Sequence, residues 1–139
     1  MKSGTRMVMG LARRRAELAR GWREVVPDLA DEFHRTLPGS RVYAFGSAVR
    51  GDMSGGSDVD ILVVSDAVPA GALARARLKV RAEEGVGLPD CHPFEFHLVT
   101  EGEAEPFLRR AGRDILLIEG RRGLRRARET GRIRIAANS

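Results

Sequence analysis

At 139 residues, with 42% apolar and 31% charged side chains, the chain has the size of one globular domain and can bury a genuine core, which excludes a disordered or fibrous polypeptide. No apolar run approaches the ~18 residues of a membrane-spanning helix, and residues 7–12, which follow Lys2 and Arg6, are too short for a secretory core, so neither a membrane partner nor export is expected. The net charge of +5 is lopsided, because residues 120–139 carry seven Arg against Glu129, a net of +6, while the remainder nets −1.

Residues 7–25 carry Leu11, Leu18, Trp22 and Val25 at helical spacing, and Pro27 is expected to interrupt or restart that helix. Leu29, Phe33 and Leu37 continue a helical seam, with acids at Asp28, Asp31 and Glu32 and bases at His34 and Arg35, as the helix dipole favours. Pro38 and Gly39 stop it. Residues 41–45 read as a short strand ending at Gly46 and Ser47, and the β-branched run 59–64 reads as a second strand. Residues 70–84 are Ala-rich and predict a helix with Leu73, Ala76 and Val80 along one side, broken by Gly85, Gly87 and Pro89. A third strand covers 94–99, with Phe94, Phe96 and Leu98 on one face and Glu95, His97 and Val99 on the other. Thr100 followed by Glu103 predicts a capping box that opens a helix reaching about Arg110, and residues 115–118 are either a short strand or a buried turn. Strands alternating with helices predict an α/β layer fold. A single cysteine, Cys91, allows no disulfide within the chain and fits a reducing cytoplasm.

The chemistry concentrates in residues 46–61. Asp58 and Asp60 are two apart at the start of a strand, so both carboxylates are expected on one side of the sheet. Two carboxylates pressed together repel, and divalent cations relieve that repulsion; hard oxygen ligands favour Mg²⁺. Gly46 lets the backbone approach a ligand closely where a helix begins, and exposed backbone N–H groups there favour phosphate. Ser47 adds a hydroxyl, and Arg50 can bring a cation to the same place. Glu95 is a charged residue between Phe94 and Phe96, and it can join the aspartates if the third strand lies beside the second. His97 shares its face and reads first as a supporting residue. Cys91, His92, His97 and His34 match no standard zinc spacing.

Gly46 and Ser47, ten intervening residues, then Asp58, Val59 and Asp60 resemble the GS-x10-D-x-D signature of the minimal nucleotidyltransferases (MNT) in the DNA polymerase beta superfamily. Arg50, Gly51 and Ser57 fit common forms of that motif, and residues 92–97 resemble the strand that carries the third carboxylate. The resemblance covers roughly residues 8–110 and implies a mixed sheet with helices on one side and the site at its edge, a nucleotidyltransferase fold of the DNA polymerase beta type. It further implies that Gly46, Ser47, Arg50 and Ser57 bind the nucleotide, and that Asp58 and Asp60 carry two Mg²⁺ ions, with Glu95 as third ligand or as base toward the acceptor hydroxyl. The expected reaction moves AMP from ATP onto an acceptor, with loss of pyrophosphate. Among family members the short stand-alone proteins resemble antitoxins of HEPN/MNT pairs, which adenylylate a tyrosine of the HEPN ribonuclease; an antibiotic-modifying role of the kanamycin nucleotidyltransferase type is less favoured.

The organisation expected is a nucleotidyltransferase domain over residues 1–119 and an Arg-rich tail over 120–139. Arg121, Arg125, Arg128 and Arg132 would line one helical face, a stripe suited to phosphates, but no aromatic follows Phe107 to stack on bases, so nucleic-acid binding is not favoured. Alternation over residues 132–135 could add a strand to a second subunit, making a homo-oligomer an alternative. A rival to catalysis is a protein that neutralises its partner by contact alone.

Overall fold

The computed structural model describes residues 2–52 and 58–121, so Ser57 and the tail expectations from residue 122 onward lie outside the described residues. The elements run α1 (Lys2–Arg20), α2 (Trp22–Thr36), β1 (Arg41–Phe45), α3 (Ser47–Arg50), β2 (Val59–Val64), α4 (Ala72–Val86), β3 (Phe94–Val99), α5 (Glu101–Ala111) and β4 (Ile115–Ile118). They form a mixed four-stranded sheet of order β3-β2-β1-β4, with β2 and β3 parallel and β1 antiparallel to both its neighbours. Residues 115–118 are thus a strand, paired with β1. Among the described residues no helix is long and apolar enough to cross a membrane.

The N-terminal helical region breaks at Gly21, not at Pro27. Gly21 closes α1 by donating to the Glu17 carbonyl (2.9 Å), and its own carbonyl accepts from Glu24 N–H (3.0 Å) as α2 starts. Pro27 lies inside α2 and is buried. Losing one backbone hydrogen bond there is outweighed by packing, because Trp22, Val26, Leu29, Ala30 and Phe33 all bury their side chains along the same helix.

Both faces of the sheet are covered, where helices on one side were expected. On one face α2 and α4 enclose Val42, Ala44, Ile61, Val63, Phe96 and Leu98, with the rings of Phe33 and Phe96 in edge contact at 5.4 Å. On the other face α5 brings Ala104, Phe107 and Leu108 against Tyr43, Leu62, Val64 and Val99. The helix α4 turns its Leu78, Ala82 and Val86 inward. Leu73 and Val80, expected along one side of this helix, are instead 67% and 48% exposed. Its inward side is narrow because the Ala-rich sequence carries few large apolar residues at i, i+4 and i+8.

The start of the tail is docked. Arg121 bonds through Nε to Asp28 (2.5 Å) and through a terminal nitrogen to the Glu24 carbonyl (2.6 Å), while its backbone N–H donates to Asp31 (3.1 Å). Arg121, expected to head a phosphate-contacting stripe, pairs instead with the acidic side of α2.

The expected capping box is present at the start of α5. The Thr100 hydroxyl accepts from Glu103 N–H (3.4 Å), and the Glu103 carboxylate accepts from Thr100 N–H (3.0 Å). That carboxylate also accepts from Arg75 of α4 at 2.9 Å, so it links the helices on opposite faces of the sheet. The Arg75 hydrogen bond first, then those of Thr100, hold the Glu103 carboxyl down at about 2, against an ordinary value of 4.5. A folded-state value depressed in this way contributes stability above about pH 4.5 and loses it as the pH falls toward 2. Glu103→Gln should therefore lower Tm at neutral pH, with the gap from the unsubstituted protein closing between pH 4.5 and 2 in calorimetric scans. A gap that persists at the lowest pH would show that ionisation is not its source. Thr100→Ala, which removes the cap hydroxyl, should cost about 1 kcal/mol in denaturant titration.

Candidate active site

The turn after β1 is built on Gly46. Its φ of 83° and ψ of −152° fall in a region that only glycine occupies without strain. A Cβ placed there would also stand 2.8 Å from Asp60 Oδ2. Glycine is thus required twice, once for the bend and once so that the backbone can lie against a carboxylate. The Gly46 carbonyl then accepts from Val49 and Arg50 N–H (3.1 and 3.2 Å), winding the single turn of α3, and Gly51 ends it in the left-handed conformation. The opening N–H groups of such a turn have no intrahelical acceptor.

Asp60 occupies the central strand β2, in register with Phe45 of β1 on one side and Glu95 of β3 on the other. The parallel pairing of β2 with β3 meets the condition set by the sequence, and it brings Glu95 and His97 onto the face of Asp60. His97 Nε2 lies 3.3 Å from Asp60 Oδ1, a hydrogen bond in the tautomer that carries its proton on Nε2, and 4.0 Å from Glu95 Oε1. One ligand atom from each of Asp60, Glu95 and His97 lies within 4.8 Å of the others, a spacing that a metal ion could fill. Side-chain exposure grades across the set, from 24% and 26% at His97 and Asp60 to 55% at Glu95, so the cluster opens to solvent along the edge strand β3.

Asp58 is placed differently from the other two acids. The strand begins at Val59, so Asp58 precedes the pleat that would align it with Asp60. Its carboxylate takes a 2.6 Å hydrogen bond from Arg15 of α1 and does not join the close set. His97 holds the third place there, and Arg15 is a neighbour that the motif gives no means of foreseeing.

A cavity of about 270 Å³ lies beside Asp60, walled by Gly46, Arg50, His97, Phe45, Phe107 and Arg110 among others. The rings of Phe45, His97 and Phe107 pack together with centroids 5.3–6.4 Å apart, which fixes the imidazole plane. Arg50 is tethered to Asp52 (3.3 Å) and Asp114 (3.7 Å), in exposed pairs that a stronger anion can displace. Ser47 opens the turn without capping it. Arg110 and Phe107 belong to α5, far from the motif in sequence, and their only signal was the Phe107, Arg110 spacing of one helical turn.

Residues 26–114 match the family model described as the nucleotidyltransferase domain. No curated protein matches the chain. A candidate nucleotidyltransferase of known structure from Sulfolobus solfataricus is 23% identical, with a TM-score of 0.54 over 78% of this chain and 89% of its own, a likeness of fold. A second crystal structure of a candidate nucleotidyltransferase is 27% identical, with a TM-score of 0.51 over 64% of this chain and 91% of its own.

Two substitutions test this geometry. Gly46→Ala must accommodate both the left-handed backbone and the Asp60 contact, and should lose at least roughly 1–2 kcal/mol in denaturant unfolding; unaltered stability would mean that the bend is not under this constraint. Arg15→Gln frees the Asp58 carboxylate at a stability cost below about 1 kcal/mol, since the pair is partly exposed. Mn²⁺ binding, followed by electron paramagnetic resonance, should tighten several-fold in that variant, and unchanged binding would exclude Asp58 from the cation site.

Proposed function

The chain belongs to the nucleotidyltransferase domain family, and on that premise we propose that it moves a nucleoside monophosphate, AMP from ATP, onto an acceptor hydroxyl and releases pyrophosphate. The observation that carries this reading is the packing of the Gly46 bend directly on Asp60, with Glu95 in register beside it. One place thereby offers a close backbone approach for phosphate and a pair of carboxylates for cations.

The donor set suits a divalent cation, because Asp60 and Glu95 supply hard oxygens and His97 an imidazole nitrogen within the same 4.8 Å. A divalent ion held there would neutralise phosphate charge and polarise the α-phosphoryl group, and Mg²⁺, two ions in the fullest form, is the choice the carboxylates favour. Asp60 and Glu95 are the residues that would hold it, with Asp58 joining on release from Arg15. Gly46 admits the triphosphate to the turn, where Ser47 and Arg50 contribute donors, with Ser57 added on the strength of the motif resemblance alone. In the transfer itself the acceptor oxygen bonds to the α-phosphorus as the bond from that phosphorus to the bridging oxygen of pyrophosphate breaks. Glu95, the most exposed of the three clustered groups, serves either as third ligand to the cation or as the base that takes the acceptor proton and passes it to solvent.

For the acceptor we propose a tyrosine of a HEPN ribonuclease partner, in keeping with the antitoxin role of the minimal nucleotidyltransferases that residues 46–60 resemble. We assign the catalytic domain to residues 1–119 and contact with the partner, or with a second copy, to the tail of 120–139, in a cytoplasmic setting.

Incubation with labelled ATP, Mg²⁺ and a candidate HEPN protein tests the reading. Asp60→Asn should reduce label transfer at least about a hundredfold, the upper end of what loss of a supporting group around a metal site costs. Neutralisation of the ribonuclease should fall in parallel. If neutralisation survives while transfer disappears, contact alone is the mechanism.

A further inference from the structure

The cavity beside Asp60 holds a cation that the signature motif leaves unassigned. Arg110 comes from the last turn of α5, distant in sequence from the Gly46 turn, yet lines the same space as Gly46, Arg50 and Asp60. The two arginines are held differently. Arg50 faces Asp52 and Asp114, whereas among the described residues no carboxylate lies within 4.0 Å of Arg110. The Arg110 Nε donates to the Pro106 carbonyl at 3.3 Å, and its guanidinium carbon sits 5.1 Å above the Phe107 ring. The stem and plane are therefore fixed by a backbone bond and a cation–π contact, while the terminal amino groups find no protein acceptor among the described residues. A planar, pre-oriented guanidinium whose terminal amino groups meet no protein acceptor among the described residues is suited to a bidentate oxyanion.

The size of the space narrows the ligand. At about 270 Å³ it falls just under the 300–1,000 Å³ of pockets that enclose whole drug-sized ligands, so it takes part of a nucleotide and not all of it. Asp60 and Glu95 repel phosphate and suit the cation, so the part of the nucleotide that answers two arginines is the distal polyphosphate. Resting on the nucleotidyl-transfer reading above, we infer that Arg110 is a substrate-binding residue that grips the β- and γ-phosphates of the incoming triphosphate and then the departing pyrophosphate. Arg50 can share that anion by exchanging its exposed partners, and Arg110 has no carboxylate partner among the described residues to exchange. Because pyrophosphate gathers charge as the bond to the α-phosphorus breaks, the same contact also lowers the barrier to transfer.

Calorimetric titration of the full chain with ATP and Mg²⁺, with inorganic pyrophosphate and with AMP tests the assignment. Arg110→Gln should weaken ATP and pyrophosphate binding about tenfold, the loss expected for one charge-assisted contact, and leave AMP unaffected. Arg110→Lys should restore part of the pyrophosphate affinity, and it guards against a general packing defect, because both variants leave an exposed position of α5 occupied by a helix-compatible side chain. Unaltered ATP and pyrophosphate affinities in Arg110→Gln would overturn the assignment, as would an equal loss for ATP and AMP, which would move the contact to the nucleoside end. An unsubstituted protein that binds neither ATP nor pyrophosphate would instead overturn the underlying nucleotidyl-transfer reading.

Discussion

Two carboxylates side by side on neighbouring strands, Asp60 and Glu95, form the constraint around which the rest of the molecule is arranged. Their mutual repulsion and the partial burial of Asp60 oppose folding. The opposing contribution comes from the residues that alternate with them. Val59, Ile61, Phe94 and Phe96 point to the other face and are buried, each contributing on the order of 1.5–3 kcal/mol of transfer free energy. The strands can therefore present acids at one end of one face because the opposite face anchors them. Register makes this arrangement strict, since a slip of one residue in β3 would turn Glu95 and His97 into the core under α2 and α4 and carry Phe94 and Phe96 to the face of Asp60.

The wall built by α5 completes what the sheet begins. Phe107 packs on Phe45 and His97, and in doing so it closes one side of the cavity while fixing the imidazole that stands between Asp60 and Glu95. The helix is itself tied down at its start by the Thr100 and Glu103 capping box and by the Arg75 contact from α4. Local capping at one end of α5 and the cavity wall near its other end are thus linked through one rigid element. That helix also carries Arg110, so the position of the cation depends on the same cap.

Arginine recurs where elements distant in sequence meet. Arg15 of α1 bonds Asp58, Arg75 of α4 bonds Glu103, and Arg121 bonds Asp28. In each case a fork-shaped guanidinium spans helices or loops that share little apolar contact, a task its planar geometry suits better than an ammonium group. The Arg15 pair occupies a carboxylate of the glycine-serine and aspartate motif.

Three of the four strands were legible from local pattern alone, while residues 115–118, open between strand and buried turn, became a strand only through pairing with β1. Period-two alternation in residues 94–99 and the β-branched run of 59–64 are statements about side chains one or two positions apart, and the capping box is a statement about positions 100 and 103. The glycine and serine followed at fixed spacing by Asp58 and Asp60 likewise pointed to phosphate and cation chemistry, because the backbone freedom of Gly46 and the acidity of the aspartates are properties of the residues themselves. Tertiary structure decided the remainder. Pro27 stays within a helix because a buried helical face outweighs one missing hydrogen bond, and Leu73 and Val80 face outward because of where α4 settles on the sheet. That Asp58 turns to Arg15 while His97 closes on Asp60, and that Arg110 reaches the same cavity, follows from contacts between segments tens of residues apart. Sequence spacing encodes no such distances; only the packed sheet and its two helical layers do.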